Sequence, residues 1–177
     1  MNTCKMKDQR ERNFTNEIVI KLSRFQVTEY YTNPNTLLKW FYQDDTAKMF
    51  MKLSFEHIDG TPWQPGAKTI FRQTKSVGVR GMSTRSYTTE MIHTVIKNNL
   101  PDEFVFSIED RGVFTTSYNF FKKEAPNVTR WISQNKVDIT GIPKILRNSA
   151  MRKIRGYSRR IMRRFKKHAQ RAYASRN

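Results

Sequence analysis

The sequence predicts an α+β domain, a curved antiparallel sheet of about seven strands around one long C-terminal helix. Three observations predict it. From Met49 to Ile139, apolar residues recur mainly with period two, in runs cut by Gly, Pro, Asn and Asp. After Gly141-Ile142-Pro143 the spacing changes to three and four and holds almost to the end of the chain. Ahead of the sheet, one β-branched strand leads into two short helical patterns.

Each element has its own cause. Residues 16–22 (NEIVIKL) alternate and carry β-branched side chains, which suits a first strand. Ser23 is placed to cap a short helix over 24–31, and Asn33-Pro34-Asn35 breaks it, because proline lacks an N–H and disfavours helical geometry before it. Thr36 is expected to cap a second short helix through Leu37, Leu38, Trp40 and Phe41. Met51, Leu53, Phe55 and His57 then share one strand face, and Asp59-Gly60 with 62–66 supplies turn chemistry. Further strands are expected over 67–77, 82–96, 103–110, 113–122 and 128–139. They are separated by Gly78 and Gly81, by the 98–102 turn, by Gly112 and by Ala125-Pro126-Asn127. In the last element Ala150, Ile154, Ser158, Ile161, Phe165, His168 and Ala172 form one mostly apolar stripe. Unbroken from 144 to 173 it runs roughly 45 Å, enough to cross a whole sheet. Asn148-Ser149 is a candidate break in it, and Gly156 weakens its interior.

A chain of 177 residues fits one domain, assigned to 15–173 with the C-terminal helix over 142–173, after a flexible segment 1–14. That opening segment is polar and has no apolar run resembling a signal peptide, and the longest apolar cluster, 37–42, is too short to span a bilayer. The lone Cys4 excludes an internal disulfide. A cytoplasmic location is the expectation. The net charge of +18 is unevenly spread: 144–176 holds 13 Lys and Arg and no acid, while the other 20 basic residues face 15 acids. The protein reads as a mildly basic domain with a strongly basic last element.

With these residues laid out, the chain resembles the START-like superfamily, also called SRPBCC, in which polyketide cyclase/dehydrase-like proteins are a branch. The resemblance runs from about Asn16 to His168. It is carried by Tyr31-Thr32-Asn33-Pro34, Leu38-Lys39-Trp40, Phe55-Glu56-His57-Ile58-Asp59-Gly60 and Pro65-Gly66-Ala67-Lys68. Thr89-Glu90, Asn99-Leu100-Pro101-Asp102-Glu103-Phe104, Gly112-Val113, Asn119-Phe120, Thr129-Arg130-Trp131 and Arg164-Phe165-Lys166 follow in order. Each fragment is weak alone; order and spacing together make the likeness specific. It implies a helix-grip fold with a cavity under the C-terminal helix, which in similar proteins holds lipids, sterols, plant hormones or polyketides and in a minority is catalytic. The last element departs from the pattern. Similar proteins commonly carry apolar residues after the Gly141 position and acids further along, where this chain has Arg147-Asn148-Ser149 and a Lys/Arg series.

Strand alternation groups Phe55, Phe71, Phe106, Tyr118 and Trp131 on the concave face, with Met91 and His93 on a neighbouring strand. Trp40 of the second short helix and Ile154 and Ile161 of the long helix complete the expected ligand-binding set. Taken one by one these side chains are ordinary core; as a set under this resemblance they point to a cavity for a small hydrophobic or amphipathic molecule. No ligand is named by the sequence. His93 and Tyr118 are the weak candidates for proton transfer in a cyclase- or dehydratase-like alternative, since imidazole titrates near neutrality and a phenol can donate. His57 lies beside a turn. No spacing places a carboxylate or nucleophile next to either histidine. Three scattered histidines and one cysteine offer no metal site, and no Gly-rich phosphate loop or Gly-x-Ser-x-Gly is present, so no cofactor is expected.

The second signal is the basic side of the last helix. Arg152, Arg155, Arg159, Arg160, Arg163, Arg164 and Lys167 set up a positive field. A solvated face is the plain reading, ahead of contact with an anionic membrane surface or nucleic-acid phosphates. No helix-turn-helix, zinc-finger or aromatic RNA-binding signature supports sequence-specific reading of nucleic acid. Nothing in the sequence indicates an oligomeric state.

Overall fold

A computed structural model describes residues 11–41, 51–77 and 85–175. Cys4, the Gly78 and Gly81 turn and most of the expected N-terminal segment lie outside these residues. The elements, in order, are β1 (Glu11–Ile20), α1 (Arg24–Thr32), α2 (Pro34–Phe41), β2 (Met51–Asp59), β3 (Lys68–Val77), β4 (Arg85–Asn99), β5 (Glu103–Asp110), β6 (Val113–Ala125) and β7 (Val128–Ile139). A short 3-10 turn (Lys144–Leu146) then leads into the long helix α3 (Arg147–Ala174).

The strands form one sheet of seven in the order β1-β7-β6-β5-β4-β3-β2, with every neighbouring pair antiparallel. β2 to β7 are a meander, and β1 returns to the far edge beside β7. Register breaks at His57/Asp59, Val95/Lys97 and Lys123/Ala125 bend the sheet, as an extra residue on one strand does. The β5–β6 turn meets the start of the last segment at a pair of glycines. Gly112 has φ +75°, and a Cβ there would lie 2.6 Å from the Gly141 Cα, so only glycine admits this approach.

The first strand begins earlier than the sequence suggests. Glu11 already pairs with Asp138, and the ladder runs to Ile20 opposite Thr129. Its polar opening reads as frayed in isolation, but β7 needs a hydrogen-bonding partner on that side and the backbone supplies it whatever the side chains. α1 starts as expected. Gln26 N–H donates to Ser23 Oγ at 3.3 Å while Ser23 N–H donates to Gln26 Oε1 at 2.9 Å, a reciprocal capping box. α2 starts at Pro34 rather than after Thr36. Asn33 Oδ1 accepts from Asn35 N–H at 2.9 Å, and the Thr36 hydroxyl turns back onto the Tyr30 carbonyl at 2.6 Å. Proline at the first helical position costs no hydrogen bond. Asn148-Ser149 is no break; the discontinuity falls one residue earlier, where the 3-10 turn gives way to α3.

α3 lies along the β1 side of the palm. The Asn16 side-chain amide donates to Ser158 Oγ at 3.0 Å, and Phe14, Val137 and Ile139 pack with Ala150, Met151 and Ile154. Further along, Phe165 is fully buried against Tyr31, Trp40 and Trp131, with ring centroids 5.8, 5.3 and 5.2 Å away. Two short helices, the sheet and α3 therefore meet in one aromatic plug. Edge-to-face contacts of this kind add about 0.5–1.5 kcal/mol per pair beyond burial.

Candidate functional site

Between α3 and the open half of the sheet the packing stops. A cavity of about 870 Å³ remains, bounded at one end by the aromatic plug and at the other by the Phe14, Val137 and Ile139 cluster. This is within the usual range for small-molecule pockets.

Nine of the ten residues expected to bind a ligand line it: Trp40, Phe55, Phe71, Met91, His93, Phe106 and Trp131, with Ile154 and Ile161 from the helix. On the β2–β5 side the wall is made of rings. Phe55 and Phe71 stand 6.0 Å apart, and the His93 imidazole lies 4.6 Å from the Phe106 ring and 5.8 Å from Phe71. His93 is only half-buried by surface accessibility because it faces the hollow, yet protein encloses it. Desolvation pushes its pKa from 6.5 down to about 4, so the imidazole is neutral at physiological pH. Burial also raises the Tyr31 phenol well above its ordinary pKa, so it too is uncharged. His57 lines the cavity near the β2–β3 turn, where Nε2 sits 2.6 Å from the Gly60 carbonyl, an N–H donor closing the turn.

Tyr118 is the exception. It is 38% exposed, lies on the outer face of β6 and does not line the cavity. Its neighbours Ser117 and Asn119, with Thr115, line the cavity instead. Alternation along β6 leaves two choices of face, and aromatic content favours the wrong one. Register decides it: Phe121 pairs with Trp131 and Ser117 with Asn135, and cross-strand partners share a face. Trp131 inside therefore places Phe121, Asn119 and Ser117 inside and Tyr118 outside.

The result is a second, polar wall on β6 and β7, whose residues sequence reasoning did not single out. Ser117 Oγ donates to Asn135 Oδ1 at 2.7 Å, and Asn135 Nδ2 donates to the Ser133 carbonyl and hydroxyl oxygens, both at 3.1 Å. Asn119 Nδ2 donates to the Phe104 carbonyl at 3.2 Å, and its Oδ1 accepts from Trp131 Nε1 at 3.0 Å. Every amide group is thus occupied, which is what makes such burial tolerable. Hydroxyls on Ser117, Ser133 and Thr115 keep spare hydrogen-bonding capacity at the cavity wall. Two more lining residues, Trp63 and Phe104, were passed over. Trp63 offered a signal, being a large ring inside a turn that would otherwise leave it in water.

The basic residues of α3 divide. Arg152, Arg155, Arg159, Arg163 and Lys167 are exposed, Arg164 is half-buried, and Arg160 joins Lys153 and Tyr157 in the cavity lining. They are not one outer face. No helix among the described residues is long and apolar enough to cross a membrane.

No protein-family model matches the chain, and no curated protein matches it. Solved structures do. A norcoclaurine synthase point mutant from Thalictrum flavum, in complex with a transition-state analogue, is similar with a TM-score of 0.61 at 15% identity, covering 92% of this chain and 96% of that one. The Zhui aromatase/cyclase from a Streptomyces species is similar with a TM-score of 0.61 at 9% identity, covering 91% and 94%. An uncharacterised protein from Rhizobium leguminosarum has a TM-score of 0.60 at 12% identity, covering 91% and 95%. At such identities the likeness is one of architecture. With its seven-stranded palm gripping a C-terminal helix, the chain has the START-like helix-grip fold of these proteins.

Proposed function

We propose that this protein binds a small amphipathic molecule between sheet and helix, as a carrier or receptor rather than a catalyst. The observation that carries this reading is the unfilled volume, about 870 Å³, walled by rings on one side and by hydroxyls on the other. Burying an apolar ligand body against β2–β5 contributes roughly 25 cal/mol per Å², and the β6–β7 hydroxyls orient a polar group. Two of the similar structures are named as enzymes. Here, however, Tyr118 points away from the cavity and His93 is a neutral ring between two phenylalanines. That favours binding over proton transfer. Native mass spectrometry of freshly purified protein, together with a Nile red titration, is the test. A co-purifying small molecule or a saturable fluorescence rise is expected; the absence of both would sink the reading.

A second reading has its own observation. Ile145 and Leu146 are 86% and 53% exposed, between Lys144 and Arg147, at the head of a helix without acids. Two bare aliphatic side chains ringed by cations suit the surface of an anionic bilayer, where apolar groups enter the interface and each nearby cation adds about 1 kcal/mol. Flotation with phosphatidylserine vesicles, lost in Ile145→Ser/Leu146→Ser, is expected. Equal flotation with phosphatidylcholine vesicles, or an RNA gel shift that persists at physiological salt without flotation, would remove it.

A further inference from the structure

Several cations on the sheet of this protein are paired with acids. Arg72 is paired with Glu56 and Glu90, Arg130 with Glu17 and Glu124, and Lys97 with Glu103. α3 itself carries no acid, and two of its cations line the cavity. Lys153 and Arg160 take part in no ion pair among the described residues. With Tyr157 they follow one another at intervals of four and three residues, so they form a single stripe along the helix. All three line the cavity while remaining exposed, which places them at its rim. In such a position a long basic side chain can lay its stem along apolar surface and keep its charged end in water.

We propose that the cavity selects amphipaths whose polar end is an anion, a carboxylate or a phosphate monoester, held at the rim by Lys153 and Arg160. This rests on the cavity being a ligand site and deepens it. An anionic head cannot sink among the phenylalanines, because desolvating a charge without a partner is prohibitive. At the rim it keeps part of its water and meets a guanidinium fork and an ammonium, both of which make charge-assisted hydrogen bonds. The apolar tail then lies along the ring-lined wall.

Asp110 argues for the direction of binding. It also lines the cavity, and one of its carboxylate oxygens is buried without a hydrogen-bond partner. It pairs with Val113, which packs on the same Phe14, Val137 and Ile139 cluster as Ala150 and Ile154 at the start of the helix. Arg160 lies roughly 15 Å further along the helix than Ala150, at 1.5 Å per residue. Lys153 is the nearer of the two cations to the Asp110 end and Arg160 the farther, so Arg160 is the stronger anchor for an anion.

Displacement of Nile red from the full-length protein by palmitate, hexadecanol and hexadecylamine, at low salt and neutral pH, tests this. Palmitate is expected to compete about tenfold better than hexadecanol, and the ratio to fall to about one in Lys153→Gln/Arg160→Gln. Palmitate no better than hexadecanol, or a preference that survives in the double variant, overturns the inference. So does hexadecylamine binding most tightly, which would make Asp110 the deciding charge. If the dye binds but none of the three displaces it, the inference falls and the cavity reading stands. If the dye does not bind, the inference falls, and the cavity reading falls with it when no small molecule co-purifies either.

Discussion

The two walls of the cavity solve the same problem with opposite chemistry. On β3 to β5 the inward positions include Phe71, Met91, His93, Phe104 and Phe106, and Phe71, His93, Phe104 and Phe106 stand ring against ring. On β6 and β7 they include Thr115, Ser117, Asn119, Ser133 and Asn135, and hydrogen bonds link Ser117, Asn119, Ser133 and Asn135 to their neighbours. The apolar wall is stabilised by the area it removes from water. The polar wall gains little net free energy, since its bonds replace bonds to water. Its gain is direction: amides locked by one another leave hydroxyls at set positions. A hollow with one wall of each kind can grip a molecule and also tell its two ends apart.

This contrast predicts unequal responses to substitution. The largest effect should come from the apolar wall. Phe104 is fully buried, with the rings of Tyr31 and Phe106 5.7 and 5.9 Å away, and Phe104→Ala should cost about 3–5 kcal/mol in urea unfolding. A cost below about 1 kcal/mol would mean that packing does not hold that side.

Next comes a pH effect confined to the same wall. His93 titrates near 4 when folded and near 6.5 when unfolded. Above pH 6.5 both states are neutral there and the full stability is present. Between 6.5 and 4 only the unfolded chain takes up the proton, so stability falls as pH falls and levels off below about 4. The loss is on the order of 3 kcal/mol. The difference between wild type and His93→Leu isolates it from the titration of carboxylates, and a variant with an unchanged pH slope would show that His93 is not held neutral.

The polar wall should respond least. Asn119→Ala removes the acceptor for Trp131 Nε1 and the donor to the Phe104 carbonyl, a cost of about 1–3 kcal/mol for groups left unsatisfied. In a Trp131→Phe background the cost should shrink without vanishing, because only one of the two partners is then orphaned. Full additivity of the two substitutions would break the hydrogen-bond account.

Much of the architecture was legible in the sequence for local reasons. Period-two runs bounded by Gly, Pro and Asn become strands because only extended backbone puts alternate residues on one face. Ser23 with Gln26 closes a capping box within four residues of chain. The apolar stripe of α3 follows from helical pitch, and strand alternation, helical spacing and the family likeness together picked out nine residues that line the cavity. Other features depend on distant chain. The first five residues of β1 are strand because β7 lies beside them. Tyr118 lies outside and Ser117 and Asn119 inside because Trp131, across the register, chose the face. Buried serines and asparagines are invisible to a reading by hydropathy, since their burial is tolerable only once their partners on other strands are in place. Local sequence determined which segments are strand and helix. The hollow between them, its polar wall and the cations at its rim are products of tertiary structure, because volume, register and hydrogen-bond closure are properties of pairs of elements rather than of any one.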